Sequence, residues 1–195
     1  KNPSNAKMIE YCMRAIYSDM LGHNVGFSHV FAIKMIESKN IHVKRIGYLA
    51  STLLLPQDSD LKILVVASLQ RDLASRNDLE VISALNSLNK LINESFAVAF
   101  VPSLGPLADS KNPFIRKKAL IAMQRVEHLI PGSIPNFPEK IKKALLEADF
   151  SVVSTAVGII LEECPQRKEL YASTLKPLAQ ILKQVLEKKM MYYDY

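Results

Sequence analysis

The sequence predicts an all-α solenoid of about ten helices arranged as five antiparallel pairs, and three observations carry that expectation. Apolar residues recur at helical spacing along nearly the whole chain, strand-like alternation is almost absent, and glycine is scarce at 6 of 195 residues. The breaks between periodic stretches are short, which favours antiparallel neighbours. Comparable helices begin at a near-constant pitch, as in stacked repeats that each touch only their neighbours.

The breaks fall near residues 22–26, 38–41, 56–59, 75–77, 93–95, 110–112, 131–136, 148–150 and 164–167. Within helix 27–37, Ala32, Met35 and Ile36 supply a buried stripe, leaving Val30 and Ile33 free to face outward. In helix 60–74, apolar residues occupy nearly the whole circumference from Leu61 to Ala67, so part of that surface must face outward or be covered by another chain. In helix 77–92 the stripe is Val81, Leu85, Leu88 and Ile92, with Ser83, Ser87 and Lys90 opposite. Asn77 and Glu80 have the spacing of a capping box there. Helix 113–130 carries Ile115, Ala119, Ala122, Val126 and Leu129, with Pro113 in its first turn and Asn112 as its cap.

Val43, Leu79, Ile115 and Val152 begin comparable helices at spacings of 36, 36 and 37. Four residues further on stand Gly47, Ser83, Ala119 and Ala156, all small enough for two helices to approach closely. Pro102, Pro138 and Pro177 recur in the preceding helices, where an interior proline kinks the axis. A kinked first helix followed by a straight second one is the pattern of a HEAT-type pair. The stretch Val101, Pro102, Leu104, Leu107, Asp109, Ile115, Arg116, Ala119, Ala122 resembles the HEAT consensus. The expected architecture is a HEAT/armadillo-like α-solenoid; the competing reading is a non-repetitive bundle whose helices share a length.

Composition narrows the classes. About half the chain is apolar (49%) and 23% is charged, so the chain can build a sizeable core and intrinsic disorder is excluded as its main character. No apolar run approaches 18 residues, which removes a transmembrane helix. Cys12 and Cys164 stand far apart, form no metal or redox motif, and suit a reducing compartment. The chain starts at Lys1 without a signal-peptide pattern and reads as a single segment, 1–195, of something longer, with no long internal linker.

Catalytic chemistry finds no foothold. His23, His29, His42 and His128 lack partners at metal spacing, and neither H-E-x-x-H nor G-x-S-x-G is present. Gly22 and Gly26 form only G-x-x-x-G in a polar turn, too sparse to cradle phosphates. Glu162 and Glu163 are expected on helix ends or solvated faces. The chain is therefore expected to be no enzyme and to take no cofactor or metal. Basic clusters at Arg116–Lys117–Lys118, Lys140–Lys142–Lys143 and Lys188–Lys189 carry two readings: solvated helix faces, or a basic ridge toward acidic membranes. No aromatic residues interleave them, so nucleic acid is not an expected partner. The tail Met190-Met191-Tyr192-Tyr193-Asp194-Tyr195 reads either as a sticky recognition segment or as a loop packing on a further repeat.

Specific residues carry a family resemblance. The run Met20-Leu21-Gly22-His23, then Phe27, Ala32-Ile33-Lys34, Lys44-Arg45-Ile46-Gly47-Tyr48-Leu49, Arg71-Asp72-Leu73 and Ile115-Arg116-Lys117-Lys118-Ala119-Leu120 resembles the trunk of the large adaptins. These are the big subunits of adaptor-protein coat complexes. Phe31-Ala32-Ile33-Lys34-Met35, Asp109-Ser110-Lys111 and Ile181-Leu182-Lys183-Gln184-Val185 make the epsilon type the most similar, with gamma and alpha types as alternatives.

The resemblance implies a cytosolic heterotetramer with beta-type large, medium and small subunits. It implies vesicle-coat sorting of cargo, peripheral on Golgi, trans-Golgi network or endosomal membranes, and recruitment by a GTP-loaded Arf-type small GTPase. Carried over from the gamma type, the GTPase-contacting positions fall on Val30, Ile33 and Leu64. In alpha types a basic run binds phosphoinositide just before the helix that leads into the Leu-Gly turn. The matching positions here hold Met8, Ile9 and Glu10, leaving only Lys7 and Arg14 as weak anionic-lipid contacts. The alternative function is a generic HEAT-repeat scaffold, such as a transport receptor or regulatory subunit.

Overall fold

The computed structural model describes residues 4–56, 59–165 and 168–187. Among them it is helical, without strands. The helices are α1 (Asn5–Met20), α2 (His29–Ile36), α3 (Ile41–Leu54), α4 (Lys62–Leu73), α5 (Asp78–Leu91), α6 (Glu94–Ala97), α7 (Val101–Ala108), α8 (Pro113–Leu129), α9 (Phe137–Leu145), α10 (Phe150–Glu163), α11 (Lys168–Tyr171) and α12 (Leu175–Leu186). Two runs are interrupted by a single 3-10 turn, Val98–Phe100 between α6 and α7 and Ala172–Thr174 between α11 and α12. The described residues thus make ten helical runs, as the periodicity predicts. Lys188, Lys189 and the 190–195 tail lie outside the described residues. The chain divides into two compact units, Lys1–Gly105 and Pro106–Tyr195.

In the first unit α3 packs against α2, α1 and α5, while α4 packs against α5 and α2. Short connections with a shared chemistry place these helices. Ser38, Ser75 and Ser110 each accept, on Oγ, the backbone N–H of the asparagine two residues on, at 3.1, 3.1 and 3.3 Å. Each asparagine then caps the next helix: the Oδ1 atoms of Asn40, Asn77 and Asn112 accept from His42, Leu79 and Phe114 N–H at 2.9, 3.0 and 3.0 Å. Asp149 does the same for α10, accepting from Ser151 N–H at 2.9 Å.

The caps correct the repeat register. Counted from Asn40, Asn77, Asn112 and Asp149, the pitch is 37, 35 and 37 residues. Leu79 is 55% exposed and is not the partner of Val43. The small residue equivalent to Gly47, Ala119 and Ala156 is the fully buried Ala84, one position after Ser83. Nor do Ser83 and Ser87 form an outer polar face: both are buried, because α5 is flanked by α3 and α4 and needs an inward arc wider than one stripe. Their hydroxyls donate to the carbonyls four residues back, Leu79 at 2.6 Å and Ser83 at 3.0 Å. The capping box is half formed. Asn77 caps, but its own N–H is taken by Ser75 and the Glu80 carboxylate turns instead to Ser75 Oγ and Lys44.

The prolines also sit differently. Pro102 is the second residue of α7, Pro138 the second of α9 and Pro177 the third of α12, all first-turn positions where the missing N–H is harmless. Proline alters the axis upstream instead. Four residues before Pro102 and Pro177 the backbone is in the 3-10 turns 98–100 and 172–174. There the carbonyl that a proline ring would crowd has left the α-helical path.

In the second unit α10 packs against α8 and α9, and α9 touches α12. Arg116 is a brace and no ridge cation: its Nε donates to Glu147 at 2.8 Å and its NH1 to the carbonyls of Ser110 and Lys111 at 2.9 and 3.1 Å. Lys143 pairs with Asp109. Glu163 stands at a helix end, as the last residue of α10, but is buried there and not solvated; it meets His128, because its end of α10 lies against α8. The buried Glu127 accepts from the backbone N–H groups of Gly132 (2.7 Å) and Ile134 (3.1 Å) and closes the 130–136 turn.

Glu80 supplies a pH prediction. The Ser75 hydroxyl and then Lys44 hold its carboxyl below the ordinary 4.5, so its contribution is full above that pH and is lost as pH falls through the depressed value. Glu80→Gln is expected to lower stability by about 1.5 kcal/mol at neutral pH. It should also flatten the acid limb of the stability curve below pH 4.5. An acid limb identical to wild type in a circular-dichroism titration contradicts this.

Candidate partner-docking site

Part of the family resemblance lies where no partner can reach it. Lys44, Gly47, Tyr48 and Asp72 are buried at the junction of α3, α4 and α5. Lys44 Nζ donates to Asp72 Oδ1 and to Glu80 Oε1, each at 2.9 Å, and Tyr48 Oη donates to Asp72 Oδ2 at 2.7 Å. Burial first, and then the bond to Asp72, push the Tyr48 phenol far above its usual range, so it stays a neutral donor. This cluster is closed to solvent and cannot be a docking surface. It is what fixes α4 against α3.

Gly47 serves the same junction. A Cβ there would lie 2.7 Å from Ile36 N and 2.8 Å from Met35 C, so α2 crosses α3 backbone to backbone. Ala32, Met35 and Ile36 seal that contact at 1% exposure or less.

On the outer faces the three expected docking residues divide. Val30 is 64% exposed and Leu64 54% exposed, on α2 and α4, two helices that touch. Ile33 is 5% exposed and faces inward, correcting the expectation that it shares the open face. The cause is the number of neighbours: α2 packs against α1, α3 and α4, so only a narrow arc stays open. That arc runs through Val30, Lys34 and Glu37, all exposed and spaced by four and three. The two charged residues mark it in the sequence. Extended back one turn, the same stripe reaches Phe27, which is 82% exposed. On α4 the all-round apolar surface does face outward at Ile63 and Leu64, 59% and 54% exposed.

Lys7 and Arg14 are exposed on α1, but Arg14 is paired with Glu10 at 2.6 Å, and both side chains lie in solvent. A lone lysine beside a cation already shared with Glu10 is a thin basis for holding a phosphate. Cys12 is buried, and burial raises its thiol pKa. Among the described residues no three His, Cys, Asp or Glu side chains are grouped as a metal site, and no helix is long and apolar enough to cross a membrane.

Comparison with known proteins gives a consistent answer. A family model described as the adaptin N terminal region matches residues 1–192. The chain is 36% identical to the AP-4 complex subunit epsilon of Arabidopsis thaliana over 97% of its length and 20% of that protein. It is 31% identical to the AP-4 complex subunit epsilon-1 of Homo sapiens over 94% of its length and 16% of that protein. It thus spans about one fifth or less of these curated relatives, whose names are those of adaptor-complex subunits and not of enzymes. Among structures it superposes on a chain of a homology model of the full-length AP-3 complex in an intermediate open conformation, with a TM-score of 0.76 and 27% identity. That match covers 92% of this chain and 32% of the other. On the match over residues 1–192 and these relatives, the chain belongs to the adaptin N-terminal region family.

Proposed function

We propose that the chain is a stretch of the large-subunit trunk of an adaptor-protein coat complex, of the epsilon type. In that role it scaffolds beta-type large, medium and small subunits for vesicle-mediated protein transport at the trans-Golgi network or endosomes. It associates with the membrane peripherally, through a GTP-loaded Arf-type GTPase and the other subunits more than through a lipid pocket of its own. The observation that carries the docking part is the pair of exposed apolar side chains Val30 and Leu64 on touching helices. Large apolar groups held open on a packed scaffold favour a partner.

The test is retention of a GTP-locked Arf-type GTPase by wild type and by the Val30→Glu/Leu64→Glu double variant. Retention is expected to drop at least tenfold, with the helical circular-dichroism signal unchanged and with the GDP-bound form retained by neither. Undiminished retention by the folded double variant overturns the docking reading. Ile33→Glu is unsuitable as a probe because it would force a charge into the core.

A further inference from the structure

We infer that α7 carries a hinge at Gly105–Pro106, a joint at which the two compact units of the chain change their mutual angle without either core repacking. The changeover from Lys1–Gly105 to Pro106–Tyr195 falls inside a helix, since α7 runs from Val101 to Ala108. Boundaries between compact units normally lie in exposed linkers. A regular helix across the boundary would couple its two ends stiffly, so the backbone chemistry of these few residues decides whether the joint bends.

The run that contains α7 is clamped at each end to a different unit. Upstream, Ala97, Phe100 and Leu104 are fully buried, and Gln70 Nε2 of α4 donates to the Ala99 carbonyl at 3.2 Å. Downstream, Arg116 NH1 of α8 donates to the Ser110 carbonyl at 2.9 Å, and Lys143 of α9 pairs with Asp109. Gly105 and Pro106 stand between the two clamps.

There the helical ladder is broken on one side. Pro106 is the sixth of eight residues in α7, so it lies beyond the first turn that shelters Pro102. It has no N–H to give the Pro102 carbonyl, and its ring crowds that oxygen. Pro102 likewise gives nothing to Val98. Val98, Pro102 and Pro106 are all exposed and four residues apart, so the missing bonds line up on the solvent face. Water satisfies those carbonyls at any degree of opening, while Phe100 and Leu104 on the opposite face stay packed. Gly105 completes the joint. A proline ring disfavours helical backbone in the residue before it, partly through that residue's Cβ. Glycine has none, so it holds the helical conformation seen here and reaches the extended one at little cost. No neighbour demands glycine at this point, because an added Cβ would have nothing within 4 Å. A bending trunk suits the scaffold role proposed above, since each unit can seat a partner at its own angle. The hinge does not depend on a GTPase docking at Val30 and Leu64.

The experiment measures distances between paired spin labels on the full chain. One label goes on each side of the joint, at Asn86→Cys and Arg125→Cys, exposed positions on α5 and α8. Cys164→Ser removes the half-buried native thiol, and Cys12 is buried. Arg45→Cys/Asn86→Cys and Arg125→Cys/Ser154→Cys are the pairs within one unit. The pair across the joint is expected to give a distance distribution about twice as wide as either of these. Gly105→Ala/Pro106→Ala should narrow it to their width, with the helical circular-dichroism signal kept and the melting midpoint raised. A wild-type distribution as narrow as the pairs within one unit makes Pro106 a fixed kink and overturns the hinge. A distribution that stays wide in the folded Gly105→Ala/Pro106→Ala variant puts the motion elsewhere and overturns it too.

Discussion

Replacing Lys44 with methionine is expected to destabilise the first unit by about 3–5 kcal/mol, the range for stripping one partner from a buried ion pair. The side chain is only 6% exposed and donates to two carboxylates, one of them, Asp72, 3% exposed. Methionine matches the length of the aliphatic stem but leaves Asp72 with Tyr48 and with Arg71, whose Nε stands 3.7 Å away. A urea titration of wild type and variant reads the loss directly as a lowered midpoint. Lys44→Met/Asp72→Asn is expected to recover part of it, because the amide needs no counter-charge. A single variant within 1 kcal/mol of wild type would show that water reaches the cluster and that the pair is effectively a surface one.

The second large effect comes from one methyl group. Gly47→Ala is expected to lower stability by about 1–3 kcal/mol, even though alanine is the better helix former by about 1 kcal/mol. The added Cβ would meet backbone atoms of Met35 and Ile36 at 2.7–2.8 Å, and backbone cannot rotate aside as a side chain can. Gly158, in the middle of α10, is the internal control. A Cβ there has nothing within 4 Å, so Gly158→Ala should raise the melting temperature instead. Opposite signs for the same substitution isolate the close approach from helix propensity. Equal signs would mean that α2 can move off α3 freely.

Much of the fold is legible because helix stops are local chemistry. The Ser-x-Asn turns at 38–40, 75–77 and 110–112 carry their own hydrogen bonds, and the sequence breaks coincide with them. Register is less legible, since it depends on which small residue meets a neighbour. Ser83 and Ala84 are both small, and only packing chooses Ala84. Burial of charge is least legible. Lys44, Asp72, Glu127 and Glu163 read as surface groups in a linear sequence, and become core residues because their partners arrive from other helices or from turn backbone. For the proposed docking residues, the spacing that links Val30 to Ile33 also links Val30 to Phe27, and the exposed Lys34 and Glu37 show which direction is open.

The brevity of α2 has a consequence for anything that docks there. An isolated helix needs roughly 12–15 residues to persist in water, and α2 has 8. Its hydrogen bonds therefore survive only while it lies in the groove over Gly47, and its amides should exchange with solvent deuterium through local release, ahead of global unfolding. A partner gripping Phe27 and Val30 holds both ends of that equilibrium. Slowed exchange confined to residues 29–36 would be its footprint, visible even where no side chain changes place.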